Sequence, residues 1–216
     1  MSKPRLTLLL VLLLPLISRA DTSPLAFTGY FANNNGNNQT LGYEFTPTVN
    51  ITVTALSYFD DGANGLTGVH QVGLWDATGS QLASTVIPAA VAAPIQDGFR
   101  YMTLTTPIML TAGHNYFVGG TSGTGSLDPY AQAATGVTVG SGISYVASAQ
   151  IADGLGNPLT FPGTTGSTTP GAGFYGGSFL YTAVPEPSST TLTGAGAAIL
   201  IWLGARRFRR LRQRAI

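Results

Sequence analysis

Between residues 41 and 181 the chain alternates short apolar-and-polar runs with tight-turn residues, and that rhythm confines it to one fold class. Side chains that repeat every second residue fill Leu41 to Phe45, Ile51 to Phe59, Val69 to Asp76, Leu82 to Ile87, Phe99 to Leu104, Asn115 to Gly119, Ile143 to Ala149 and Phe174 to Tyr181. Each run is short and rich in β-branched or aromatic residues, the pattern of a strand with one buried face. Turn chemistry separates them: Asp60-Asp61-Gly62, Asp76-Ala77-Thr78-Gly79, Asp97-Gly98 and Thr111-Ala112-Gly113. Gly and Asp supply the backbone geometry that reverses a chain. No body segment keeps a 3.6-residue period, and no internal repeat points to a solenoid or propeller. The expected fold is all-β, an antiparallel β-sandwich of about eight strands. The Asn33 to Asn38 stretch and the Gly/Thr/Pro-rich stretch from Gly154 to Thr169 are expected to be irregular.

Such a fold must hold by packing, because the sequence has no Cys. That also removes disulfide scaffolds, thiolate metal sites and Cys nucleophiles. The formal net charge of +1 conceals an uneven distribution. Lys3, Arg5 and Arg19 lie at the start and six Arg lie between Arg206 and Arg214, whereas residues 21–184 hold one Arg against eight acidic residues, a net of −7. An acidic body repels phosphate backbones, which excludes nucleic acid as its partner.

The two ends differ from the body. Lys3 and Arg5 precede an apolar run from Leu6 to Ile17 and then Ser18-Arg19-Ala20, with small residues three and one before Asp21. This is the layout of a secretory signal peptide cleaved between Ala20 and Asp21. Its apolar core, broken by Pro15, is short for a bilayer about 30 Å thick. At the other end Val184-Pro185-Glu186-Pro187 leads into an uncharged stretch, 188–205, followed at once by Arg206, Arg207, Arg209, Arg210, Arg212 and Arg214. Eighteen helical residues reach about 27 Å, enough for one crossing. The Arg cluster would stay cytoplasmic and the body outside. The expected divisions are a signal peptide over 1–20, an extracellular β-sandwich over 21–183 and a tail over 184–216.

This tail, a Pro-Glu-Pro tripeptide, a membrane helix and a terminal Arg cluster in that order, resembles the PEP-CTERM sorting signal. The resemblance implies that the chain is the substrate of an exosortase, a membrane cysteine protease or transpeptidase of Gram-negative bacteria that usually make exopolysaccharide. It assigns Pro185, Glu186 and Pro187 to the recognition tripeptide, residues 192–205 to the helix and the arginines to the stop-transfer cluster. Two prolines fix φ and remove backbone donors, which keeps the tripeptide extended and accessible above the membrane. A second resemblance runs from about Phe27 to Tyr145 and rests on Leu41-Gly42-Tyr43-Glu44-Phe45-Thr46-Pro47, Ile51 to Leu56, Val72-Gly73-Leu74-Trp75-Asp76-Ala77-Thr78-Gly79 and Leu104 to Tyr116. It is similar to an extracellular β-sandwich domain family of bacterial secreted and cell-surface proteins that has no established catalytic residues.

Within the body, candidates for chemistry are few. His70 and His114 fall on different expected elements with no metal-ligand spacing, and no Gly-x-Ser-x-Gly elbow supplies a nucleophile. The body has one Glu, Glu44, so a paired-carboxylate hydrolase would have to be assembled from scattered Asp. Asp60, Asp61 and Asn64 can offer oxygen ligands to Ca²⁺ in an extracellular loop, although their spacing is not that of an EF-hand. Gly171-Ala172-Gly173-Phe174-Tyr175-Gly176 matches a dinucleotide fingerprint in letters only, since no helix pattern follows it. Trp75 is either a core side chain or a stacking platform for a sugar ring.

The sequence therefore leads to an exported, non-enzymatic protein without a cofactor. Its expected partners are the Sec translocon, signal peptidase, an exosortase and the inner membrane before processing. Its expected destination is the cell surface or extracellular matrix, where it serves a structural or adhesive role. The alternative is a carbohydrate-binding module for exopolysaccharide, marked by two or more coplanar exposed aromatics on one face.

Overall fold

A computed structural model describes residues 20–34, 39–122, 128–151 and 159–184. The expected signal peptide up to Arg19, the expected sorting tripeptide, the apolar stretch and the Arg cluster lie outside the described residues. Among those that are described, no helix is long and apolar enough to cross a membrane.

The body is all-β. Its strands are β1 (Leu25–Ala26), β2 (Gly29–Asn33), β3 (Gln39–Pro47), β4 (Ile51–Phe59), β5 (His70–Asp76), β6 (Gln81–Ile87), β7 (Ile95–Gln96), β8 (Phe99–Leu110), β9 (Tyr116–Ser122), β10 (Tyr130–Thr135), β11 (Thr138–Val139), β12 (Ile143–Gln150), β13 (Thr164–Thr165) and β14 (Gly177–Ala183). Every pairing is antiparallel. A six-stranded sheet in the order β13-β12-β3-β9-β5-β6 stacks on a four-stranded sheet in the order β14-β4-β8-β7. Two small two-stranded ribbons, β1-β11 and β2-β10, accompany them.

All eight expected runs are strands, and the sandwich exceeds the expected count through six further segments. Four of these, β1, β7, β11 and β13, are two residues long and too short to show a period. The other two, β2 and β10, pair with each other through Gly29, Ala32, Ala131 and Gln132, residues of weak strand propensity held by their partner.

The two sheets meet through alternate side chains. Tyr43 and Phe45 of β3, Ile51 and Val53 of β4, Leu74 of β5 and Phe179 of β14 are fully buried in one core. The Phe45 and Phe179 rings, from opposite sheets, are 4.7 Å apart. Burying a side chain of this size contributes about 1.5–3 kcal/mol. From Ala55 to Phe59 every residue of β4 is buried, so this strand is covered on both faces. Gly177 lets the sheets approach, because a Cβ there would lie 2.5 Å from the Gly119 carbonyl carbon and the Gly120 nitrogen.

A second, smaller cluster sits apart from the main core. Trp75, Phe117 and Ala149 pack under Leu159 and Phe161, which arrive from the stretch expected to be irregular. Trp75 is 3% exposed. The platform expectation for Trp75 is thereby corrected: its ring is covered by chain rather than presented to a ligand. Parity opposite to Leu74 does put it on the other face of β5, but that face is roofed.

The β5–β6 hairpin shows why local sequence fixes local register. Asp76 Oδ1 accepts hydrogen bonds from the Thr78 hydroxyl (2.6 Å), the Thr78 N–H (2.9 Å) and the Ser80 N–H (3.0 Å). These donors, the Thr78 hydroxyl first, hold its carboxyl below the usual carboxylate range. Gly79 follows at φ +87°, a conformation open to glycine.

Candidate functional site

The buried Asp, His and Arg side chains among the described residues are Asp60, His70, Arg100 and Asp128, and all four belong to one place. Burying ions is expensive, so their convergence marks a built feature rather than chance.

Asp60 leaves the end of β4, and the chain then folds back on it. A 3-10 turn, Asp61–Ala63, leads through Gly62 at φ +71° and Ala63 at φ +57° to Gly65. The Gly65 N–H returns to the Asp60 carboxylate at 3.1 and 3.2 Å. Arg100, paired in register with Tyr58 across β4 and β8, donates Nε–H to Asp60 Oδ2 at 2.7 Å. Its Nη1 donates to the Ala93 carbonyl at 2.7 Å, which also ties down the segment before β7.

Asp128 organises the neighbouring loop in the same way. Its oxygens accept from Thr67 N–H at 2.8 Å and Gly68 N–H at 3.0 Å, while Oδ2 lies 2.9 Å from His70 Nε2. His70 Nδ1 faces the Thr121 carbonyl oxygen at 2.8 Å. A carbonyl only accepts, so Nδ1 carries a hydrogen, and a further proton lies in the His70–Asp128 contact. The imidazole is stacked on Tyr58 at 3.6 Å between ring centres with 14° between planes. In a hydrolytic triad the second imidazole nitrogen would face a nucleophile; here the Thr121 carbonyl occupies that position.

Between these two anchored carboxylates opens a cavity of about 210 Å³. Asp60, Asp61, Asn64, Thr67, Asp128 and Pro129 line it. Tyr30, from β2, stands beside it and donates its hydroxyl to Asp61 Oδ1 at 2.7 Å. The Asp61 carboxylate accepting that hydrogen bond pushes the Tyr30 phenol pKa upward. The cavity is rich in acceptor oxygens, which suits a ligand that brings hydroxyl or ammonium hydrogens.

The structure thus brings together Asp60, Asp61 and Asn64, the three residues considered for calcium. It also adds Arg100 to Asp60, so the carboxylate already has a buried cationic partner. Among the described residues no group of three His, Cys, Asp or Glu side chains is placed to hold a metal ion. Ala20 and Asp21, the residues flanking the expected signal cleavage, are exposed. His114 is exposed in the turn between β8 and β9, away from the buried His70. Sequence reasoning did not single out Arg100 or Asp128. The signal for Arg100 was there, because a lone cation among eight acids is suited to partner a buried carboxylate.

Among the described residues, two further hydroxyls, Tyr58 Oη and Ser122 Oγ, are buried with no partner at full hydrogen-bond geometry, and the Ser122 hydroxyl is the polar neighbour that acts on Tyr58. Burial drives the Tyr58 phenol pKa upward.

Among curated proteins and among solved structures, nothing matches the chain. One family model does match, over residues 27–140. That span takes in β2 through β11 and the whole Asp60–Arg100 and His70–Asp128 assembly, and stops before β12 and β14 complete the two sheets. The chain belongs to the family described as a domain of unknown function, DUF4082.

Proposed function

We propose that this protein is exported, held briefly at the inner membrane by its tail, and sorted by an exosortase to the cell surface or extracellular matrix, where its β-sandwich serves a non-enzymatic structural or adhesive role. The observation that carries this reading is the order of the tail: Pro185-Glu186-Pro187, the uncharged stretch 188–205 and six Arg from Arg206 to Arg214. Among the described residues the last strand ends at Ala183, two residues before Pro185. Thr22 pairs with Tyr181 of β14 in both directions, at 2.8 and 3.0 Å, so the chain just after Asp21 runs beside the strand that leads to the tail, an arrangement that supports a body joined to its tail at one edge. Replacing Pro185, Glu186 and Pro187 together by Ala should leave the tail uncleaved in the native cells, read as a membrane-retained precursor on immunoblots of fractionated cells. Normal processing of that variant would overturn the reading.

A second reading, exopolysaccharide binding, draws on the acceptor-lined cavity beside Tyr30. It does not draw on a stacking platform. The exposed aromatics among the described residues are Tyr30 and Phe31, neighbours on one strand whose side chains point to opposite faces. Asp61→Asn combined with Tyr30→Ala should slow migration less than the parent does in affinity electrophoresis through the cells' own exopolysaccharide. Equal retardation of both would exclude the cavity.

A further inference from the structure

Asn64 stands in the cavity wall, exposed and followed directly by Gly65. An asparagine before glycine is open to cyclisation, because glycine has no Cβ to hinder its backbone nitrogen. Once hydroxide has taken its proton, the Gly65 nitrogen can attack Asn64 Cγ. The Cγ–Nδ2 bond then breaks, ammonia leaves with a proton drawn from water, and a cyclic imide remains. Water adds across either imide C–N bond and opens the ring to aspartate or to isoaspartate. Native contacts oppose that sequence. The Gly65 N–H is donated to both oxygens of Asp60. A carboxylate is too weak a base to remove an amide proton, and its buried charge disfavours a second anion beside it. Asn64 holds ψ −3°, which turns the Gly65 nitrogen toward the backbone nitrogen of Asn64 and away from its side chain. Turning that peptide back is resisted from the far side. There Leu66 and Ala90 exchange backbone hydrogen bonds at 3.2 and 2.6 Å, and a Cβ on Gly65 would lie 3.1 Å from the Ala90 carbonyl carbon.

We propose that Asn64–Gly65 is a latent imide-forming site held closed by the Asp60–Arg100 pair, and that loss of the pair lets Asn64 convert to aspartate or isoaspartate. Arg100 holds the site from two directions. Its Nε–H fixes at 2.7 Å the same Asp60 oxygen that receives Gly65 at 3.1 Å. Its Nη2 donates to the Ala63 carbonyl oxygen, immediately before Asn64, at 3.4 Å. The Ala63 N–H in turn donates to the Asp60 carbonyl at 3.1 Å, so the loop from Asp60 to Gly65 is closed on the buried ion pair. Conversion would set a further carboxylate in a wall that already holds Asp60, Asp61 and Asp128, and isoaspartate would also route the backbone through the side chain of residue 64. The pair thereby preserves the charge and shape of the cavity as well as the fold. The inference rests on the geometry of this loop and is independent of the export reading, so either can fail alone.

The test is peptide mapping by mass spectrometry of the full chain in mild detergent, incubated at mildly alkaline pH below the phenol range, both native and in urea. The readout is the mass gained at Asn64 when its amide becomes a carboxyl; isomerisation at the neighbouring Asp61–Gly62 bond leaves the mass unchanged. The native parent should convert Asn64 at least about tenfold more slowly than the chain in urea, because the loop must first open locally. Arg100→Met should raise the native rate about tenfold while circular dichroism still shows the strands. Gly177→Ala disturbs the sandwich away from this loop and should leave Asn64 at the parent's rate, which separates release of the lock from general loosening. Where Arg100→Met does not fold, Asp60→Asn removes the carboxylate alone and should give the same gain. A native parent that converts Asn64 as fast as the chain in urea overturns the proposal. So does a folded Arg100→Met or Asp60→Asn variant that protects Asn64 as well as the parent, or a Gly177→Ala variant that exposes it as much as Arg100→Met does.

Discussion

Arg100 is the one Lys or Arg between residues 20 and 205, and its guanidinium is buried against Asp60. Removing one partner of a buried ion pair leaves the other charge stranded in the interior, at a cost of about 3–5 kcal/mol. Arg100→Met should therefore remove a large part of a stability that is about 5–15 kcal/mol for a domain of this kind. The Asp60 loop, held by the same carboxylate, should loosen with it. Urea unfolding followed by the fluorescence of buried Trp75 measures the first effect, and an unchanged midpoint would show that Asp60 finds full compensation elsewhere. At this scale the sequence was only partly legible. The lone Arg was visible, but its partner was not, because Asp60 and Arg100 stand 40 residues apart and meet only through the β4–β8 register. Trp75 illustrates the same gap. Its parity on β5 was readable, whereas the segment that roofs it lies more than 80 residues later and has no periodicity of its own.

At the scale of elements, legibility followed length. Strands of seven residues or more announced themselves, as β4 and β5 do. Two-residue strands carry no period, and β10, Tyr130–Thr135, is built on alanines whose strand state comes from β2 beside it. The sheet-to-sheet spacing also depends on particular positions. Gly177→Ala would drive a methyl into the backbone of β9, which cannot move without breaking two ladders, and overpacking of this kind costs about 1–3 kcal/mol. A lower thermal midpoint with the strand signal retained in circular dichroism is the expected result. A midpoint equal to the parent's would mean that the sheets can separate there without penalty.

At the scale of the whole molecule, the core is unusually dependent on phenols. Tyr43, Tyr58 and Tyr175 are fully buried, burial pushes each of their pKa values well upward, and Tyr145 is pushed up to about 12 by the same cause. A phenol becomes charged by losing its proton, and in the unfolded chain it does so near pH 10. Between that pH and the folded values, the unfolded state sheds protons that the native state retains, so stability is fully present below about pH 10 and falls as pH rises. Denaturation midpoints should hold steady to about pH 9.5 and drop steeply above it. Tyrosinate absorbance should then show Tyr43, Tyr58 and Tyr175 ionising only with unfolding. All nine tyrosines ionising near pH 10 in a folded protein would contradict the packing described here.

The same acidic body, whose last described strand ends at Ala183, joined to a tripeptide, an apolar stretch and an Arg cluster, underlies the proposed route to the cell surface. Intact-mass and C-terminal peptide analysis of the protein recovered from its native cells tests that route most directly. The account predicts a species that begins at Asp21 and ends between Pro185 and Ser189, and that disappears when the exosortase is deleted. A protein that keeps Arg206 to Ile216 in every fraction would contradict it.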